Sequence, residues 1–151
     1  MLAVAGDNTT CPGPLLDWYT EYVGETPCMT YQRLRQLCDP QYTVPLFRNT
    51  APGDNCNSEV SACCCNSVAW SLSMLCMNCQ EHAVANGTSS IEAGAHKSQH
   101  LIKAIAATAT TERGLSTQVQ SAVCNSDIKI ADWLYPLYWG DGSWSVECLV
   151  S

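Results

Sequence analysis

From residue 63 to residue 82 the chain reads CCCNSVAWSLSMLCMNCQEH, and its apolar positions recur at helical rather than alternating intervals. Cys65, Ala69, Leu72, Cys76 and Cys79 follow one another in steps of four, three, four and three. At about 3.6 residues per turn they share one face. Val68, Trp70, Met74, Leu75 and Met77 add apolar side chains elsewhere, no Gly or Pro interrupts, and Ser58 or Ser61 stands where an N-cap is needed. The pattern predicts a central helix of about five turns.

The same period marks shorter helices on either side. Leu15, Trp18, Tyr19 and Tyr22 form an apolar stripe over residues 15–23, which Gly24 stops. Thr26-Pro27 reads as an N-cap followed by Pro at the first helical position, opening a helix that carries Cys28, Tyr31, Leu34, Leu37 and Cys38 and ends at Asp39-Pro40. Residues 41–56 are rich in Pro, Asn, Thr and Gly and predict an irregular loop with one extended piece at 43–47. An alanine-rich helix is expected over 91–111, and a further one after Ser116 with Val119, Ala122 and Val123 inward and Cys124 at its end. The stretch IKIADWLYPLYWGDGSW then changes character. Ile128 and Ile130 alternate, and Gly140-Asp141-Gly142 separates Trp139 from Trp144. A short C-terminal aromatic β-hairpin is expected there.

Eleven cysteines in 151 residues change the picture. In a reducing cytosol they are a liability, whereas in an oxidising compartment they staple a modest core. Cys63, Cys64 and Cys65 diverge by about 100 degrees per residue on a helix, so each needs its own partner. A central helix sending sulfurs outward in several directions is a hub for bridges. Cys28 and Cys38 are separated by ten residues and Cys65 and Cys76 by eleven, roughly 15 and 16 Å along their axes. Antiparallel packing joins Cys28 to Cys76 and Cys38 to Cys65; parallel packing reverses the pairs. Cys56 is expected to tie the loop to the start of the central helix. Cys11, Cys28, Cys38, Cys56, Cys63, Cys64, Cys65, Cys76, Cys79 and Cys124 are the bridge candidates, and Cys148, in a short tail, is the expected odd thiol, free or paired with another chain.

The fold class expected is therefore mainly α: one small disulfide-rich helical domain over residues 11–148 around the Cys-rich helix. Residues 1–10 read as a residual signal or flexible N-terminus, because Ala3-Val4-Ala5 resembles the tail of a signal peptide. Sequons at Asn8 and Asn86 agree with a secreted or cell-surface location. The net charge of -7 argues against nucleic acid and anionic lipid as partners, and no run of about 18 apolar residues offers a membrane span.

In that order, DWYTEYVGETPCMTYQRLRQLC, CCCNSVAWSLSMLCMNCQ, AVCNSDIKIADW and YWGDGSW resemble the cysteine-rich ectodomains abundant in mushroom-forming basidiomycete fungi. The match runs over residues 17–144, and CCCN followed by CxxCQ is its most specific part; residues 87–114 match poorly. Such domains follow a signal peptide, often precede a membrane-spanning helix, and continue past this point with further aromatics and a later cysteine. Here SVECLVS follows, the pattern expected of a truncated product. A fainter resemblance is to the small subunits of fungal dimeric laccases. It implies a laccase catalytic chain as partner, with this chain as a non-catalytic stabiliser.

Chemical motifs add little. Cys76-Met77-Asn78-Cys79 is a CxxC late in a helix, away from the N-terminal dipole that activates a redox thiol. Together with His82 it lacks the second CxxC of a zinc site, and His96 and His100 lack a third ligand. CQEH faintly resembles the CxxHD of secreted phospholipases, but position 83 is Ala where calcium binding requires Asp. GxSxG, HExxH and phosphate-binding glycine loops are absent. The expectation is a non-catalytic interaction module with no metal and no cofactor and with a protein partner. Carbohydrate binding through the faces of Trp139 and Trp144 is the alternative.

Overall fold

The computed structural model of the chain describes residues 8–14, 16–47, 54–56, 61–64, 66–80, 115–131, 134 and 146–148. Among these, the chain is mainly helical: α1 (Asp17–Val23), α2 (Pro27–Gln36), α3 (Ser67–Gln80) and α4 (Thr117–Asn125), with two three-residue strands, β1 (Asp54–Cys56) and β2 (Val146–Cys148). The expected helix over 91–111 lies outside the described residues.

The stop of α1 and the start of α2 act as read, but α2 ends at Gln36 with Leu37 as its C-cap, short of Asp39-Pro40, so Cys38 lies outside it. Gly24 closes α1 in the left-handed region at φ 99°, where a side chain is strained, and its N–H donates to the Thr20 carbonyl at 2.8 Å. Thr26 caps α2, its hydroxyl oxygen accepting from the Met29 N–H at 3.1 Å, with Pro27 in the first turn. The same hydroxyl donates to the Thr9 carbonyl, so one side chain starts the helix and fixes the N-terminal segment. The α1 stripe divides in the structure. Tyr19 is fully buried and meets Trp18 edge-on at 6.0 Å, but Tyr22 is 52% exposed. Lys129 covers it, with Nζ 4.7 Å from the ring centroid and donating to the Tyr22 carbonyl at 2.7 Å.

Helix α3 starts later than its pattern predicts. Ser61–Cys63 form a 3-10 turn, and the cap is Asn66 rather than Ser58 or Ser61. Its Oδ1 accepts from the Ala69 N–H at 2.7 Å while its Nδ2 donates to the Ala62 carbonyl at 2.9 Å. Asn is among the strongest N-caps, and here it satisfies both the turn and the helix. All fourteen residues of α3 are buried, so the seam of the sequence pattern is only part of an enclosed perimeter. A helix buried on every side belongs at a centre. Two of its polar residues bond back to the helix: Ser73 Oγ donates to the Trp70 carbonyl at 2.6 Å and Asn78 Nδ2 to the Met74 carbonyl at 2.8 Å.

Helix α2 packs along α3, and two bridges fix the direction. Cys28 joins Cys76, and Cys38 joins Cys63, so the early end of α2 meets the late end of α3. The packing is antiparallel. The second partner is Cys63 in place of Cys65, because α3 begins only at Ser67 and the bridge lies in the segments just outside both helices. A third bridge, Cys11–Cys79, ties the N-terminal segment to the last turn of α3.

Residues 42–47 are irregular, without the strand pairing of an extended piece, and several of their backbone groups pair with side chains. Val44 donates its N–H to Gln32 Oε1 at 2.9 Å and accepts at its carbonyl from Asn8 Nδ2 at 3.0 Å. Gln36 Nε2 reaches the Tyr42 carbonyl at 2.9 Å, and Gln80 takes the Phe47 N–H at 2.9 Å while donating to the carbonyls of Pro45 and Asn8. Side-chain amides stand where a neighbouring strand would.

After Ser116 caps α4, Asp127 at φ 59° turns the chain. Ile128 N–H then bonds the Val123 carbonyl at 3.0 Å and Asp127 N–H the Cys124 carbonyl at 3.2 Å, the Schellman pattern. Arg33 docks on this end, donating to the Ser126 carbonyl at 2.9 Å and pairing with Glu25 at 3.0 Å, where a cation suits the helix dipole. Residues 128–131 are not strand. The expected hairpin, with Trp139 and Trp144, falls on residues outside the description. Instead, β2 pairs with β1 in parallel, with Asp54 opposite Val146 and Cys56 opposite Cys148.

Candidate functional site

The densest group of ionisable side chains lies where α2 meets β1. Tyr31 and Arg35 are one turn apart on the buried face of α2, Tyr42 comes from the turn after that helix, and Asp54 opens β1. Asp54 Oδ2 accepts from the Tyr31 hydroxyl at 2.7 Å, the Tyr42 hydroxyl at 2.7 Å and Arg35 Nη1 at 2.9 Å. Arg35 Nη1 also donates to the Tyr31 hydroxyl at 2.8 Å, and its guanidinium lies 4.1 Å from the Tyr42 ring centroid. The pair is enclosed, with side-chain exposures of 5% for Arg35 and 9% for Asp54.

Electrostatics holds the cluster together. Burial drives the Tyr31 and Tyr42 phenols far above the usual tyrosine range, and the nearby Asp54 charge adds to the effect. Burial works against the Arg35 charge, but Tyr31, Tyr42 and Asp54 outweigh it and its pKa is raised. At neutral pH the phenols hold their protons and the guanidinium its charge.

The cysteines divide differently from the sequence reading. Cys76 and Cys79 sit in two separate bridges, to Cys28 and Cys11, so the CxxC is neither a redox pair nor a set of thiolate ligands. Cys64 is bridged as well. Cys124, placed among the bridge candidates, is a free and exposed thiol. The reason is its position on α4, where Val119 and Val123 face inward and Cys124, the next residue after Val123, is carried round to solvent. Cys124 is therefore one unpaired thiol among the described cysteines, whereas the expectation that Cys148 is the odd thiol rests on a side chain outside the description. For Cys56 and Cys148 the description gives the backbone, in which they face each other across the strand pair; Cys65 lies outside the described residues.

Of the two sequons, Asn86 lies outside the described residues. Asn8 is half-buried, and the nitrogen that would carry a glycan donates to the Val44 carbonyl. Trp139, Trp144, His82, His96 and His100 are outside the description. Among the described residues, no three His, Cys, Asp or Glu side chains stand together as a metal site, and no helix is long and apolar enough to cross a membrane.

Sequence reasoning missed the Asp54 clamp. An Arg on the apolar stripe of α2, four residues after a Tyr, was the available signal; Asp54, within a Gly-Asp-Asn loop, carried none. No family model, no curated protein and no solved structure matches the chain.

Proposed function

We propose that the chain is a non-catalytic secreted or cell-surface interaction module of the kind found in basidiomycete cysteine-rich ectodomains. The observation that carries this reading is the use of sulfur: among cysteines whose side chains are described, seven are bridged and Cys124 alone is free. Disulfides in this number suit an oxidising, extracellular setting. The ionisable cluster is likewise spent on cohesion, which leaves the outer surface to do the recognising. In this reading the aromatic segment around Gly140-Asp141-Gly142 forms the hairpin expected from sequence and belongs to that surface.

The oxidised protein, secreted behind a leader from a fungal host, tests it. Saturable binding to a surface or secreted protein of that host, lost on reduction, is the expected result. Turnover of a substrate that one point substitution abolishes would overturn it. Retention on wall polymers, abolished in Trp139→Ala and Trp144→Ala, would move the assignment to carbohydrate binding. A lengthened thermal half-life of an added laccase catalytic chain would move it to an accessory subunit.

A further inference from the structure

Cys64 is bridged and 3% exposed. Six other cysteines are paired among themselves, as Cys11–Cys79, Cys28–Cys76 and Cys38–Cys63, and Cys124 is a free thiol. Of the eleven, only Cys56, Cys65 and Cys148 are left as partners. Residues adjacent in sequence have Cα atoms about 3.8 Å apart, below the ~4.4 Å at which ordinary disulfides begin, which removes Cys65. The two cysteines that survive are the last residues of β1 and β2, and the parallel register sets them opposite each other.

We infer that Cys64 is bridged to the two-stranded sheet, through Cys56 or Cys148. The elimination agrees with local geometry. Cys63 closes a 3-10 turn and is drawn to Cys38 at the end of α2, and successive residues in such a turn project about 120 degrees apart. Cys63 and Cys64 therefore serve different bodies: the first holds α2, the second the sheet. The bridge also accounts for a sheet of two three-residue strands, since an isolated pair of strands is marginal in water. From the other side Asp54 of β1 is held by Arg35 of α2. The sheet is thereby anchored to α2 by charge and to the approach of α3 by sulfur.

Disulfide mapping of the intact protein decides the matter. Alkylating the unreduced chain in acid blocks Cys124 before it exchanges, and stepwise partial reduction with a second label, read by electron-transfer fragmentation, resolves Cys63, Cys64 and Cys65 within one peptide. The expected result is co-release of Cys64 with Cys56 or with Cys148. Cys64 linked to Cys65, to Cys124 or to any cysteine of the three described bridges would overturn the inference, as would alkylated Cys64. A Cys64→Ser variant gives a second reading: one additional alkylated thiol, at Cys56 or Cys148, is expected. A new thiol at any other cysteine would overturn it, and should the variant not fold, the wild-type map still decides.

Discussion

Asp54 offers one carboxylate oxygen to two phenols and a guanidinium at once, so its removal strands three donors in a space with little water. Breaking one side of a buried ion pair typically costs about 3 to 5 kcal/mol, because the remaining charge is left uncompensated. Asp54→Asn is therefore expected to destabilise by about that much in urea unfolding with the bridges intact. Replacing Arg35 by Met together with Asp54→Asn should cost less than the sum of the two single changes. The tyrosines set a second expectation. Tyr19, Tyr31 and Tyr42 all have phenols raised by burial, whereas in the unfolded chain each ionises near pH 10. Above that pH the unfolded state releases protons that the folded state keeps, so stability, level below about pH 9, falls as pH rises. The slope should approach 4 kcal/mol per pH unit, or ~1.4 for each phenol. Urea melts from pH 8 to 11 would show it, with the phenolate absorbance of these residues appearing only on unfolding.

Helix ends were legible wherever a single residue type settles them, as Thr26-Pro27, Gly24 and Ser116 show. The start of α3 was not, because the apolar pattern runs unbroken through Cys63, Cys64 and Cys65 and periodicity alone does not reveal where the backbone bonds begin. Asn66 marks the place, and Asn66→Ala is expected to cost about 1 kcal/mol, measured as a shift of the urea midpoint at constant slope. The later start also explains why the pairing of α2 with α3 was half legible. Matched spacing offered Cys28 with Cys76 as one of two pairings, the antiparallel one, but Cys38 and Cys63 both lie beyond the regular helices, where rise per residue no longer measures distance. At the end of α4, Asp127 occupies a left-handed position that Gly fills more readily and places a negative charge at the wrong end of the dipole. Asp127→Gly is expected to stabilise by ~0.5 to 1 kcal/mol in the same assay.

At the scale of the molecule, mainly helical architecture and a sulfur-rich centre were readable because both follow from composition and period. The parallel contact of β1 and β2 was not, since it joins segments far apart in sequence and three residues per strand are too few to show alternation. The exposed thiol of Cys124 has a consequence in time rather than in free energy. Exchange needs a thiolate and a reachable disulfide, and Cys28, Cys63, Cys76 and Cys79 are sealed in the core. The Cys28–Cys76 bridge, sealed at both sulfurs, exchanges only when the chain opens, so its lifetime follows the rate of unfolding, whereas half-buried Cys11 and Cys38 leave one sulfur of each of the other two described bridges nearer to solvent. Once open, the molecule carries its own catalyst for mispairing. Cys124→Ser should leave the reversible melt unchanged yet markedly raise the fraction recovered with native bridges after heating at alkaline pH, read by non-reducing peptide mapping; equal recovery would show that the thiol plays no part in inactivation.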